Sequence, residues 1–234
     1  MGVSSKELHY QLKSKLNRFN RNYSEEIPVH QADRALTEAY FYWYESNAQI
    51  AEVNDTARRN LKDFEIKDEP MDVEFNGRRY IGKFPENFYK YLRLSCIAFK
   101  EGCGEKELTV NVEPSKKINK LLKNPYWEPS YEYEETFADE FKDGLIVYHK
   151  GFEVRRVYMD YLEKPLSIQT PSLTRNGEIV NADGEKITAD RGIPLTSSLE
   201  SRKIVDIAAL IVMRDKGDIR DYESQLNKIS IINN

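Results

Sequence analysis

The chain has 234 residues, a hydrophobic fraction of 40%, a charged fraction of 32% and a net charge of −4. That length gives one large domain or two small ones and buries enough surface to fold without staples. The charge is mixed along the chain with no basic block, which argues against tight, specific nucleic-acid binding. Aromatics reach 12%, with 15 Tyr and 10 Phe. Tyr carries an apolar ring with a polar tip, so this excess fits either surfaces buried on assembly or a β-rich core.

Residues 4–20 read as a helix: Ser4 and Glu7 form a capping box, and Leu8, Leu12, Leu16 and Phe19 recur at helical spacing. Pro28 opens a second helix with the stripe Ala32, Leu36, Ala39, Trp43. Tyr40, Phe41, Tyr42 and Tyr44 surround that stripe, so faces beyond the packed one are aromatic. Asp55 or Thr56 starts a short third helix carrying Ala57, Leu61 and Phe64.

The middle of the chain changes period. Val73 and Phe75 alternate into Asn76-Gly77, a strong hairpin signal, and Tyr80 and Ile81 return. Pro85 is expected to open a helical turn with Phe88, Tyr89 and Leu92. Strands are predicted over 93–100, 107–113, 131–138, 144–149 and 152–163, interrupted by a basic amphipathic segment, Ile118 to Leu122, that stops at Pro125. Short turns between runs indicate an antiparallel sheet or small barrel.

Residues 166–195 form a polar insertion with turns at Asn176-Gly177 and Asp183-Gly184. A helix from Ser197, capped with Glu200, is apolar nearly all round from Ile204 to Met213 except at Asp206, which implies full burial. Gly217 breaks it. Asp218 then caps a last helix with Ile219, Tyr222, Leu226 and Ile229 at a partner-helix spacing.

Chemistry-bearing motifs are sparse. His9, His30 and His149 stand singly, and Cys96 and Cys103 make neither a disulfide framework nor a zinc site. Gly102-Cys103-Gly104-Glu105-Lys106 lacks the phosphate-loop spacing and reads as a turn. Glu132, Glu134, Glu135, Asp139, Glu140 and Asp143 alternate with Tyr131, Tyr133 and Phe137, as on a strand with a solvated acidic face. Asn181, Asp183 and Glu185 lack a full calcium loop. The reading is of a non-enzyme with no cofactor and no metal. No stretch approaches the ~18–20 apolar residues of a membrane span, and Met1 to Lys6 lacks signal-peptide and myristoylation patterns.

Several short pieces in order carry a resemblance. They are Tyr10 to Asn17, Ile27-Pro28, Leu36-Thr37-Glu38-Ala39, Phe84 to Phe88, and Leu122 to Pro125 leading to Glu128 to Glu132. Tyr161-Leu162-Glu163-Lys164-Pro165 and Lys203 to Ala208 complete the set. Together they resemble the ring, or head-to-tail connector, proteins of crAss-like phages and related short-tailed phages of Bacteroidetes. Two departures stand out: the 166–195 insertion is long, and Ser201-Arg202-Lys203 replaces an expected acidic-His-basic triplet.

The resemblance implies a virion structural protein, forming rings (commonly twelve-fold) below the portal, with DNA passing through without sequence-specific binding. Its partners are further copies, the portal, and neighbouring ring or tail proteins, with no membrane. It implies residence in the virion, after assembly in the host cytoplasm. The fold it implies is α+β: a helical bundle from the N- and C-terminal helices with an inserted antiparallel β domain, sandwich or small barrel. The corresponding division is 1–68 helical, 69–165 β-rich, 166–195 loop or hairpin, and 196–234 returning helices with a tail. Candidate interface residues are Tyr40, Tyr42, Tyr44, Tyr126, Trp127, Tyr131, Tyr133, Tyr222, Leu226 and Ile229. The alternatives are a non-virion adaptor or chaperone-like binding module, and an enzyme with a carboxylate site between Glu132 and Asp143.

Overall fold

A computed structural model describes residues 2–19, 27–124, 126–173, 179–180, 184, 186, 192–193 and 198–216. The expected last helix with Tyr222, Leu226 and Ile229, the turn at Asn176-Gly177, and the Asn181, Asp183 and Glu185 group lie outside these residues. The chain divides into two compact units, one of residues 1–63 with 165–234, the other Phe64–Lys164.

The first unit is helical. In α1 (Ser5–Phe19) the Ser4 hydroxyl accepts from Glu7 N–H at 3.2 Å, and Leu8, Leu12 and Leu16 are buried. Helix α2 (Val29–Ile50) starts directly after Pro28 and buries Ala32, Leu36, Ala39, Tyr40, Trp43 and Tyr44. The stub α3 (Asp55–Asn60) is capped by the Asn54 side chain, which accepts from Thr56 and Ala57 N–H. Helix α5 (Ser198–Asp215) buries Ile204, Val205, Ala208, Ala209, Ile211, Val212 and Met213. Because α5 is apolar on most sides, it accepts α1 and α2 on different faces, and each packs mainly on it rather than on the other. Asp206, the polar exception, pairs with Lys15 at 2.7 Å.

The second unit is an eight-stranded sheet. Its strands are β1 (Glu65–Met71), β2 (Val73–Phe75), β3 (Tyr80–Lys83), β4 (Phe88–Lys100), β5 (Gly104–Val112), β6 (Glu135–Phe141), β7 (Gly144–Val147) and β8 (Glu153–Glu163). Their order is β1-β8-β4-β5-β6-β7-β3-β2. Helix α4 (Ser115–Leu121) lies between β5 and β6 in sequence. The core gathers Leu94, Cys96, Leu108, Leu145, Val157 and Met159 from four strands, β4, β5, β7 and β8. The hairpin at Asn76-Gly77 forms with Gly77 at φ +86°, and the Asn76 side chain accepts from Arg78 and Arg79 N–H.

The expected fold is corrected on both of its parts. The sheet is single, mixed and curled into a half-barrel, neither a sandwich nor a closed barrel. Strands β5 and β6 pair in parallel, because the α4 crossover carries the chain back before β6 begins. The five α-helices among the described residues are not bundle flanks of an insertion: α4 packs on β6 within the sheet unit and α3 is a single short stub. The helical turn expected after Pro85 is also absent. Pro85 C=O accepts from Phe88 N–H at 3.0 Å, and the chain runs at once into β4. Strand β1 was not visible in the sequence, since it is acidic and contains Pro70. As an edge strand it tolerates proline.

Two further strands, β9 (Ser172–Leu173) and β10 (Ile179–Val180), pair within the 166–195 insertion. A bridge between Val3 and Ile193 ties its end to the N-terminus.

Candidate interaction surface

Helix α4 is amphipathic because Ile118 and Leu121 turn inward. Ile118 is fully buried against Phe137 and Tyr148, while Lys116, Lys117 and Lys120 stay in solvent. Ser115 Oγ donates to Asp139 Oδ2 at 2.6 Å and ties the helix start to β6. The coil continues past Leu121, since Lys123 N–H reaches Lys120 C=O and Asn124 N–H reaches Leu121 C=O. Asn124 then organises the next turn: its side chain accepts from Tyr126 N–H at 3.1 Å and its carbonyl from Trp127 N–H at 3.0 Å. This turn leaves Tyr126 and Trp127 at 89% and 61% exposure.

The chain then folds onto the β4–β5 hairpin. Tyr131 is buried, its hydroxyl donating to Gly104 C=O at 3.0 Å, and the Lys100 and Lys106 ammoniums lie 5.8 and 5.6 Å from its ring centroid. Lys100 pairs with Glu132, and Lys106 with Glu134 at 2.7 Å. These hydrogen bonds hold both lysines above their usual pKa, and the Lys100 bond holds Glu132 below the usual carboxylate range. Glu134 takes φ +58°, and Tyr133 between the clamped carboxylates is 81% exposed.

The candidate aromatics therefore separate. Tyr126, Trp127 and Tyr133 stand outward on one loop, and Tyr42 is exposed on α2. Tyr40, Tyr44 and Tyr131 are corrected from surface to core: each is filled in by its own unit and has no ring left to offer. On α2 the reason is periodicity, because Tyr40 and Tyr44 follow Leu36 at spacings of four and join the buried stripe. Tyr222, Leu226 and Ile229 lie outside the described residues.

The carboxylates at 132 and 134 serve as lysine partners, and β6 starts only at Glu135, so the acidic strand expected from residue 131 is shorter. Among the described residues no group of three His, Cys, Asp or Glu is placed to hold a metal ion, and no helix is long and apolar enough to cross a membrane.

The histidines are occupied locally. His9 Nε2 donates to buried Asp33 at 2.7 Å, and His149 Nδ1 to Phe152 C=O at 2.9 Å. His30 lines an open groove of about 750 Å³ along α2, with Thr37, Tyr42 and Gln169.

A second concavity was missed by the sequence reading. Between β1 and β3 lies a cleft of about 410 Å³ floored by Met71, Phe84 and Met159 and edged by Glu69, Asp72 and Glu74. The signal for it was the acid density of residues 63–74, where Asp63, Glu65, Asp68, Glu69, Asp72 and Glu74 face a single lysine, Lys67.

The chain matches no protein-family model, and no curated protein matches it in sequence.

Proposed function

We propose that the chain is a non-enzymatic virion structural protein that assembles as a ring in a phage head-to-tail connector, beneath the portal, around a channel for DNA. The observation that carries this reading is the outward set Tyr126, Trp127 and Tyr133. Large rings at 89%, 61% and 81% exposure on one well-braced loop are what an assembly surface requires before assembly. The ordered resemblance along the sequence supplies the kind of assembly. A net charge of −4 fits a channel that lets phosphates slide rather than bind. The partners under this reading are further copies, the portal, and adjoining ring or tail proteins.

Electron microscopy of particles, and of the purified chain mixed with its portal, tests it. Rings under the portal containing this chain are expected. A chain that stays monomeric with portal present and is missing from particles overturns the reading and favours the non-virion adaptor.

A further inference from the structure

Two patches of the sheet unit have opposite chemistry, and neither finds its counter-charge among the described residues. The first is the outer side of α4 and the turn after it. Residues 114–127 contain Lys116, Lys117, Lys120 and Lys123 and no carboxylate. Lys117 pairs with Glu113 at 2.5 Å. Lys116, Lys120 and Lys123 are exposed and reach no carboxylate among the described residues. Their i, i+4, i+7 spacing sets them on one side of the coil, away from buried Ile118. Exposed Tyr126 and Trp127 continue the strip.

The second patch is the corner where β1 passes into β2. Glu69, Asp72 and Glu74 are exposed around the cleft, and no ion pair engages them among the described residues. The rim holds one cation, Lys83. The floor of Met71, Phe84 and Met159 is apolar, and a volume of about 410 Å³ accommodates one large aromatic side chain.

We infer that the lysine–aromatic strip of one copy docks into the acidic cleft of the next, with Trp127 or Tyr126 in the cleft and Lys116, Lys120 and Lys123 facing Glu69, Asp72 and Glu74. The choice of a second copy as occupant rests on the ring reading above and on charge complementarity: three unpaired lysines beside two rings on one patch, three unpaired carboxylates around an apolar floor on the other. The two patches belong to different parts of the sheet. Helix α4 sits on β6, whereas β1 and β2 stand at opposite ends of the strand order. Such a contact is heterologous, and a heterologous contact repeats from copy to copy until rotation closes it into a ring. Lysines beside aromatics also suit single-stranded nucleic acid, but that occupant leaves the acidic cleft without a role.

The test is sedimentation of the full chain over a concentration series at low salt. Wild type is expected to self-associate, and added salt to weaken the association. K116E/K120E/K123E is expected to weaken it about tenfold, and Trp127→Ala roughly thirtyfold. E69K/D72K/E74K should weaken it like the first triple, and an equimolar mixture of the two triples should recover association. Circular dichroism of each variant checks that it folds. A wild type that stays monomeric, or triples that associate like wild type, overturns the inference; so does a strip that binds a single-stranded oligonucleotide while association is unchanged by its reversal. Rings in particles with association insensitive to both reversals would remove this interface and leave the ring reading standing. Association lost on reversal and recovered on mixing, by a chain missing from particles, would do the opposite.

Discussion

Asp33 in the helical unit and Glu132 in the sheet unit are both carboxylates held by several donors, in opposite surroundings. Asp33 is 7% exposed and accepts from His9 Nε2, Thr170 N–H and Thr170 Oγ1, so it fastens α1 and the 165–173 segment to α2. Its neighbour Thr37 accepts from Ile168 N–H at 3.0 Å one helical turn on. A second buried polar contact, Trp43 Nε1 to Glu200, joins α2 to α5. Glu132 is bound to Lys100 and Ser130 in solvent, on a unit whose buried side chains are mostly apolar, with Ser95 and Thr136 the polar exceptions. Buried polar groups lose water that nothing replaces when a partner goes, whereas surface pairs exchange partners for water. The helical unit thus depends on a few polar joints, and the sheet unit on its core.

Substitutions chosen from the two units should separate them. Asp33→Ala orphans three donors and is expected to cost about 4 kcal/mol in denaturant unfolding; a loss below about 1 kcal/mol would end the idea of polar joints. Leu145→Ala, at the fully buried centre of the sheet core, should cost about 3 kcal/mol through lost burial and a cavity. Trp43→Phe keeps an aromatic side chain but a smaller one, and removes a donor from Glu200, which retains Lys203 at 3.2 Å, for an expected loss of about 2 kcal/mol. Arg93→Ala, which breaks an exposed pair with Glu107, should leave the unfolding midpoint where it was.

The cysteines sharpen the same contrast without mutation. Burial, with Glu107 second, pushes the Cys96 thiol up to about 12 from an ordinary value of 9.0. Cys103 lies exposed in the β4–β5 turn. A thiol reagent at neutral pH is expected to label Cys103 in the folded protein and Cys96 only on unfolding. Because the folded value of Cys96 is the raised one, its contribution is complete below about 9 and is lost as pH rises toward about 12. Stability that holds through that range would refute it.

Much of the local structure was legible. Leu8, Leu12 and Leu16 announced one buried face, Asn76-Gly77 announced its hairpin, and the apolar run of α5 announced a burial that is full except at Asp206, Ile207 and Leu210, which are half-buried. Which aromatics stay exposed was legible only in part, since an aromatic run on a helix does not say how wide the packed stripe is. Tyr40 and Tyr44 fell inside it and Tyr42 outside. Strand β1 escaped because an edge strand paired on one side needs little apolar pattern; its bulge at Asp68, φ +50°, is held by a bond from Asp68 N–H to Asp160 Oδ1 across ninety-odd residues.

Among the described residues, the sequence by itself determined the long helices, most strands and their turns, since periodicity and turn chemistry act over a few neighbours. Only the tertiary structure decided that the sheet is mixed and open, that Asp33 and Glu200 are joints, and that Tyr126 and Trp127 stand beside exposed lysines while an acidic cleft opens elsewhere on the same sheet. Each of those depends on which distant residues share one face, and a local pattern carries no record of that.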